Sequence, residues 1–115
     1  GRDLAAVGGT PAGYDHNYVL DGVAGTLRDV AVVREPGSGR WLRLATDQPG
    51  CQLYTGNFLD GTVRGKGGVV YRQHHGLCLE TQVHPDAIHH ADWPGVVLRP
   101  GHRYRHRMVV GFGAA

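Results

Sequence analysis

Turn-forming residues recur along the whole chain and leave only short stretches between them. Among 115 residues there are 19 Gly and 6 Pro, and both residue types interrupt helices and favour tight turns. The apolar residues show no sustained helical period, and no segment repeats at an interval of about 20 to 50 residues. We therefore predict an all-β chain of about seven to nine short strands.

Apolar and aromatic stretches predict where most of these strands lie. They cover residues 14–20, 27–33, 41–46, 51–59, 69–71 and 77–80. Between the second and third stretches the sequence reads REPGSGR, and its Pro36, Gly37 and Gly39 predict a hairpin turn. We interpret this hairpin as part of the scaffold.

Side-chain character alternates strictly in the last predicted strand, residues 104–112. One face carries apolar and aromatic residues and the other carries basic residues, namely Tyr104, His106, Met108, Val110 and Phe112 against Arg103, Arg105 and Arg107. This period of two predicts a strand with one packed face and one face in water.

The stretch YRQHHGLCLETQ, residues 71–82, contains a carboxylate with a suitable position for catalysis. The apolar run at 77–79 predicts a buried strand that ends at Glu80. A rigid and partly desolvated carboxylate suits a general base, because burial raises its proton affinity towards the working pH. Position alone does not establish this role, since most Glu residues at strand ends are solvated.

Charge and cysteine content narrow the range of partners and locations. Twelve Lys and Arg against ten Asp and Glu give a formal charge of +2, which is too small to predict nucleic acid or an anionic membrane as a partner. No apolar run reaches the length of a membrane span, and GRDLAAVGG lacks the apolar core of a signal peptide. Cys51 and Cys78 lie in strand-like apolar settings, so we expect buried thiols and a cytoplasmic protein.

Two further patterns lack the spacing that their chemistry requires. The Gly-rich loop DGTVRGKGG would need Ser or Thr after the lysine to act as a P-loop, but Gly67 follows Lys66. His84, His89 and His90 lie close together, but they match neither HExxH nor a zinc finger. We therefore predict no metal site.

Four ordered segments resemble the aldose 1-epimerase (galactose mutarotase) family. They are GYDHNYVL at 13–20, QPGCQLYTGNFLDGTVRGKGG at 48–68, HHGLCLETQVHPD at 74–86 and VLRPGHRY at 97–104. The resemblance implies an antiparallel β-sandwich of the galactose mutarotase-like (supersandwich) type, in which residues 1–115 are the C-terminal third of one domain. His75 and Leu77 stand where the family usually has Ser and Phe, and the LET sequence is retained.

The resemblance also implies residue roles. Glu80 matches the family's general base, Asp15 matches an Asp that hydrogen-bonds sugar hydroxyls, and Gln52 matches a substrate-contacting Gln. The implied reaction interconverts the α and β anomers of a hexose such as galactose or glucose by general acid/base ring opening and reclosure. It requires no cofactor and no metal. An aromatic side chain near the sugar is expected as well, and the candidates are Tyr14, Tyr54, Phe58 and Trp93.

One element of the family pattern is missing from this sequence. The family's acid His lies on the preceding portion of the chain, and none of the eight His here matches it. We therefore expect a partial domain with exposed sheet edges and an uncovered apolar face. Its expected partners are a monosaccharide and the missing N-terminal part of the same domain.

Three alternatives stay open. An epimerase for a phosphorylated hexose would require basic residues around the substrate, for which Arg64, Lys66 and Arg72 give limited support. A non-catalytic sugar-binding domain would keep the fold without the acid. In a purely structural role for the LETQ segment, Glu80 is exposed and points away from Asp15 and Gln52.

Overall fold

The computed structural model describes residues 11–115 and confirms the all-β class. The six strands are β1 (Asp15–Val19), β2 (Arg28–Arg34), β3 (Arg40–Thr46), β4 (Gly50–Tyr54), β5 (Cys78–Gln82) and β6 (Met108–Ala114). Two single-turn 3₁₀ helices cover Lys66–Gly68 and Ala87–His89. No helix in this part of the chain is long and apolar enough to cross a membrane.

The described residues divide by their contacts into two compact units. The first contains residues 11–18 and 52–80, and the second contains residues 19–51 and 81–115. Strands β1, β4 and β5 form a three-stranded sheet in the order β1-β4-β5. Strands β2, β3 and β6 form another in the order β2-β3-β6.

The predicted hairpin between β2 and β3 is confirmed, and the two strands pair antiparallel. Glu35 organises its turn, because its carboxylate accepts hydrogen bonds from the Ser38 hydroxyl and from the backbone N–H groups of Gly37 and Ser38, the latter two at 2.7 Å. The Ser38 hydroxyl and these N–H groups hold the pKa of Glu35 below its ordinary value. Gly39 has a φ of 70°, a left-handed conformation that favours glycine.

Two strands predicted in the first unit are shorter than expected or absent. Strand β4 ends at Tyr54 rather than at residue 59, because Gly56 adopts a φ of 64° and the Leu59 N–H turns back to the Gly56 carbonyl at 3.2 Å. Residues 69–71 form only an isolated bridge, between Arg64 and Val70. The described chain therefore has fewer strands than predicted.

Strand β5 is not the buried strand predicted from its apolar run. Leu77 is 47% exposed and precedes the strand, and Cys78 is exposed. The predicted buried thiol is therefore wrong for Cys78 but confirmed for Cys51, which is 4% exposed. Side chains of a strand point to the two faces of its sheet, so their burial depends on which segments cover each face, and the apolar run does not encode that.

The last strand begins later than predicted and is open to solvent. Pairing starts at Met108 rather than Tyr104, opposite Thr46 at the end of β3. The face predicted to pack is exposed, with Phe112 at 73% and Val110 at 37%. The alternation identified the two faces, but burial depends on a covering layer that a strand's own sequence does not encode. This exposure matches the expectation of an uncovered apolar face.

Candidate active site

Two of the three predicted site residues contact each other in the first unit. Asp15 opens β1, and Gln52 lies on the adjacent strand β4. Gln52 Nε2 donates a hydrogen bond to Asp15 Oδ1 at 2.7 Å. An ionised carboxylate only accepts, so this contact also assigns which end of the Gln52 amide is the donor.

The third predicted residue, Glu80, lies on the strand next to β4. It occupies the middle of β5 and is exposed, whereas Thr81, on the other face of the strand, is 7% exposed. The expected position at the end of a buried strand, with a partly dried carboxylate, is therefore wrong. Its role as general base stays a prediction.

A buried amide fixes the backbone just before Asp15. Asn57 is 3% exposed, and its Nδ2 donates to the Tyr14 carbonyl at 2.9 Å. The Thr55 hydroxyl accepts from the Tyr14 N–H at 2.9 Å and donates to Asn57 Oδ1 at 2.7 Å. The Thr55 N–H donates to the same Tyr14 carbonyl at 3.1 Å. This network holds the start of β1 and hence the position of Asp15.

Asn57 and Thr55 are supporting residues that the sequence does not predict. They lie in YTGNFLD, where Gly followed by Asn is typical of any turn, so nothing marks the amide as buried. Gly13 shows how closely the segments approach, since its φ is 141° and a Cβ there would lie 1.9 Å from Asn57 Oδ1. A glycine two residues before the polar strand β1 is the one signal available in the sequence.

Phe58 is the candidate aromatic with the most open ring in the first unit. Its ring stacks on Tyr54 with centroids 6.4 Å apart and an interplanar angle of 19°. The Phe58 N–H donates to the Tyr54 hydroxyl at 3.0 Å, which fixes the two residues relative to each other. Phe58 is 60% exposed, so it offers an apolar surface for contact with a ligand.

Two histidines of the first unit, His16 and His74, contact residues close to Asp15 or to Asn57 in sequence. His16 packs edge-on against Tyr14, with ring centroids 5.9 Å apart. The His74 N–H donates to the Gly56 carbonyl at 3.2 Å, and His74 Nδ1 lies 2.9 Å from the Thr55 carbonyl. Because a carbonyl only accepts, Nδ1 of His74 carries the proton and donates. The backbone φ of His74 is 65°, which is unusual for a residue other than glycine.

An open depression of about 530 Å³ lies in the first unit. Its lining is Pro11, Asn57, Phe58, Leu59, Asp60, Arg72 and Gln73. The predicted residues Asp15, Gln52 and Glu80 do not line it. Of the three basic residues considered for a phosphorylated substrate, Arg72 reaches this depression, and Arg64 and Lys66 lie in the preceding Gly-rich loop.

Three histidines of the second unit, His84, His89 and His90, contact Asp86 or Trp93. His89 Nδ1 and His90 Nε2 both contact the Asp86 carboxylate, the latter at 3.4 Å. The His90 ring stacks on Trp93 with centroids 3.9 Å apart. Within residues 11–115, no group of three or more His, Cys, Asp or Glu side chains is arranged to hold a metal ion.

In this all-β chain, the strands β1, β4 and β5 of one sheet carry Asp15, Gln52 and Glu80, the residues that the resemblance assigns to the site. A family model described as Aldose 1-epimerase matches residues 2–111. The chain therefore belongs to the aldose 1-epimerase family.

Similar proteins include galactose mutarotases from mammals. The chain is 50% identical over 103 residues to galactose mutarotase of Bos taurus and 50% identical to that of Homo sapiens, with 90% of this chain and 30% of each relative covered. It is 36% identical over 94 residues to aldose 1-epimerase of Escherichia coli (strain K12), with 80% of this chain and 27% of that relative covered. The chain thus spans about 30% of the length of the mutarotases it matches.

Proposed function

We propose that this chain is the base-bearing part of an aldose 1-epimerase that interconverts the α and β anomers of a hexose such as galactose or glucose. The hydrogen bond from Gln52 to Asp15 carries the proposal, because it orients two polar side chains beside the strand that bears Glu80. Membership in the aldose 1-epimerase family supports the reaction class.

Asp15 and Gln52 bind sugar hydroxyls in this proposal. Oδ1 of Asp15 accepts from Gln52, and Oδ2 is available to accept from a hydroxyl of the ligand. A hydroxyl both donates and accepts, so a carboxylate and an amide side by side match two neighbouring hydroxyls. The hydrogen bonds from Asn57 and Thr55 to Tyr14 limit the movement of Asp15 and reduce the ordering cost of binding.

Glu80 acts as the general base. Its carboxylate takes the proton from the anomeric hydroxyl while an acid protonates the ring oxygen, and the bond between the anomeric carbon and the ring oxygen breaks. The free aldehyde rotates about the adjacent carbon–carbon bond, and reclosure returns both protons and gives the other anomer. Proton transfer by a positioned group typically contributes about 10²–10⁴-fold in rate.

We infer that the acid comes from the N-terminal part of the same domain. The chain spans about 30% of the mutarotases it matches, and Glu80 is exposed, which supports a further part of the domain that covers the base. Desolvation by that part would make the carboxylate a stronger base. Should the chain act alone, His16 and His74 are the acids to test.

Polarimetry of freshly dissolved α-galactose and α-glucose tests the proposal. The samples are the chain alone, an N-terminal part of a mammalian galactose mutarotase alone, and the two together. We expect acceleration from the combination, and a loss of about 10²-fold or more in that acceleration for Glu80→Gln. Asp92→Asn is the matched control, since it removes an exposed carboxylate outside the first unit. A combination no faster than the N-terminal part alone would contradict the proposal.

A non-catalytic sugar-binding domain is the second candidate, and the exposed Glu80 favours it for the isolated chain. It predicts that galactose binding, followed by NMR, survives Glu80→Gln and that no combination accelerates anomer exchange. The epimerase proposal predicts acceleration that depends on Glu80.

We also propose that the protein is cytoplasmic. Cys78 is an exposed free thiol, which supports a reducing environment. Localisation of a tagged chain in cell fractions tests this.

A further inference from the structure

The hydrogen bonds between β1 and β4 show which of their residues lie opposite each other. At one end the Thr55 N–H donates to the Tyr14 carbonyl at 3.1 Å, and at the other the Leu20 N–H donates to the Pro49 carbonyl at 2.9 Å. Residue numbers rise along β1 while those of their partners fall along β4, so the two strands run antiparallel. The two bonds are separated by the same number of positions on each strand, so a regular ladder joins them.

This register places Asn17 directly opposite Gln52. Asp15 lies two positions before Asn17 on β1, so the two side chains point to the same face. Gln52 shares that face, because its Nε2 donates to Asp15 Oδ1 at 2.7 Å. Counted from the hydrogen-bonded pair of Tyr14 and Thr55, the pair of Asn17 and Gln52 is of the non-hydrogen-bonded kind, in which opposite side chains lie closest. Asp15, Gln52 and Asn17 therefore form one group of polar side chains.

Glu80 belongs to the same face of the sheet. On β4, Cys51 precedes Gln52 and is 4% exposed. On β5, Thr81 follows Glu80 and is 7% exposed. Neighbouring residues of a strand point to opposite faces, and a sheet with alternating exposure has one packed face and one open face. The packed face carries Cys51 and Thr81. The open face therefore carries Gln52 and Glu80.

The order of the strands assigns the two ends of a bound hexose. The sheet runs β1-β4-β5, and neighbouring strands lie about 4.8 Å apart, so β1 is roughly 10 Å from the strand that carries Glu80. The anomeric hydroxyl must reach Glu80 for its proton to be taken. A pyranose ring that lies across β4 then presents the opposite side of the ring to β1, and the carbon opposite the anomeric carbon carries the 4-hydroxyl.

Asn17 has the chemistry and the support that a contact with this hydroxyl requires. Its amide both donates and accepts, whereas the Asp15 carboxylate only accepts and already accepts from Gln52. Asn17 is also the half-buried residue of β1, with exposed residues on either side, so its side chain loses less freedom when a ligand binds. Galactose and glucose differ only in the direction of the 4-hydroxyl, and an amide held in one place meets one of these directions better than the other.

We propose that Asn17 is a specificity-determining residue: its side-chain amide hydrogen-bonds the 4-hydroxyl of the hexose and so discriminates between galactose and glucose. The inference rests on the proposed function, because it takes the anomeric hydroxyl to lie at Glu80. One hydrogen bond between uncharged groups changes affinity by roughly two- to tenfold. The same contact is made in the bound substrate and in the transition state, so its loss raises KM more than it lowers kcat.

Anomer exchange of galactose and of glucose, followed by polarimetry, tests the specificity. The samples combine the N-terminal part of a mammalian galactose mutarotase with the parent chain, with Asn17→Ala or with Tyr18→Phe. We expect Asn17→Ala to change the ratio of kcat/KM for galactose to that for glucose by about twofold or more, mainly through KM. Tyr18 points to the other face of β1, so Tyr18→Phe should leave this ratio unchanged. Equal losses for both sugars in Asn17→Ala overturn the proposal.

Sugars that lack single hydroxyls separate a direct contact from a structural effect of the substitution. Calorimetry on the same combinations compares galactose with its 4-deoxy and 2-deoxy forms. We expect the parent to bind 4-deoxygalactose roughly two- to tenfold more weakly than galactose and Asn17→Ala to bind both alike, while removal of the 2-hydroxyl costs the same in the two chains. A 4-deoxy loss that is the same in the parent and in Asn17→Ala overturns the proposal. Asn17→Val, which suits a strand and lacks the amide, decides the question if Asn17→Ala fails to fold by circular dichroism.

The two experiments distinguish failure of this inference from failure of the proposed function. If the parent combination accelerates anomer exchange but the 4-deoxy loss is the same with and without the Asn17 amide, only the inference is wrong. If the combination binds galactose without accelerating exchange, the epimerase proposal is wrong, and the 4-deoxy comparison still decides the role of Asn17. A combination that neither binds galactose nor accelerates exchange overturns both.

Discussion

Arg107 contacts the buried carboxylate of Asp47 twice, through its backbone N–H and through its guanidinium Nε, each at 3.0 Å. The sequence predicts Arg107 on a solvated strand face, but its side chain is 44% exposed and tied to Asp47, which is 5% exposed. Burial alone raises the pKa of the Asp47 carboxyl. The hydrogen bonds from Arg107 and from the Gln48 amide outweigh burial and hold this pKa well below its ordinary value.

Asp47 should make stability depend on pH in the acid range. Its pKa is lower in the folded chain than the value of about 3.9 expected when unfolded, so its stabilisation is complete above that value and decreases as the pH falls further. Asp47→Asn should cost about 1–3 kcal/mol in urea unfolding at pH 7 and should flatten the acid dependence. Asp92→Asn, at an exposed site, is the control. The same acid dependence in the parent and in Asp47→Asn would contradict this assignment.

Asn57→Ala should destabilise the first unit and loosen Asp15. The change removes the donor to the Tyr14 carbonyl and the acceptor of the Thr55 hydroxyl, and each lost hydrogen bond typically costs about 0.5–1.5 kcal/mol. Chemical unfolding measures the loss, and amide NMR shifts at residues 14–16 report displacement of β1. Lys66→Ala, at an exposed position of the same unit, is the control, and shifts confined to residues 55–58 would count against a role in positioning Asp15.

Gln52→Glu should weaken sugar binding more than Gln52→Ala. The glutamate replaces a donor 2.7 Å from Asp15 Oδ1 with a second carboxylate, and like charges at that distance repel each other. We expect roughly tenfold weaker galactose binding for Gln52→Ala and a larger loss for Gln52→Glu, since one hydrogen bond to a charged group is worth about 1.5–3 kcal/mol. Titration of the combined parts by calorimetry measures both variants. Unchanged affinity in Gln52→Glu would remove Gln52 from the site.

Gly113→Ala should be costly, and Gly111→Ala should be tolerated. A Cβ at Gly113 would lie 2.4–2.6 Å from three atoms of the Trp41 ring, and one at Gly111 would lie 3.7 Å from the same ring. Overpacking of this kind typically costs about 1–3 kcal/mol. Thermal unfolding followed by circular dichroism compares the two variants, and equal melting temperatures would show that Trp41 moves away without cost.

One thiol of the native chain should react with a thiol reagent much faster than the other. Cys78 is exposed and Cys51 is 4% exposed, and accessible thiols react while buried ones are protected. Absorbance during reaction with an aromatic disulfide should show one thiol titrating at once and the second only after denaturant is added. A Cys78→Ser chain that still reacts rapidly would contradict the assignment.

Local features of the fold followed from the sequence, and features that depend on a covering layer did not. The turn around Glu35 and Gly39 is encoded within a few residues, so the hairpin was predicted correctly. Burial at Glu80 and Phe112 depends on which other segments lie over the strand, and alternation carries no information about them. The end of β4 was misplaced because the left-handed turn at Gly56 interrupts an otherwise strand-like composition.

The candidate site shows the same division between local and distant information. Asp15 and Gln52 were named because the motifs around them resemble a family, and their hydrogen bond is a contact between residues 37 positions apart. Asn57 has no such motif-based role, and its importance arises only from its position against Tyr14. A sequence shows which side chains have suitable chemistry, but the packing of distant segments determines which of them are held in place.

Because the ring of Trp41 lies over Gly113, the fluorescence of Trp41 reports whether β6 is attached to β3. Trp41 lies on β3 while Gly113 lies near the end of β6, so detachment of the last strand would wet the indole and shift its emission. The other tryptophan, Trp93, stacks on His90 in a loop and would blend its own signal with this one. In a Trp93→Phe chain, fluorescence would follow the release of a single strand before the rest of the fold is lost.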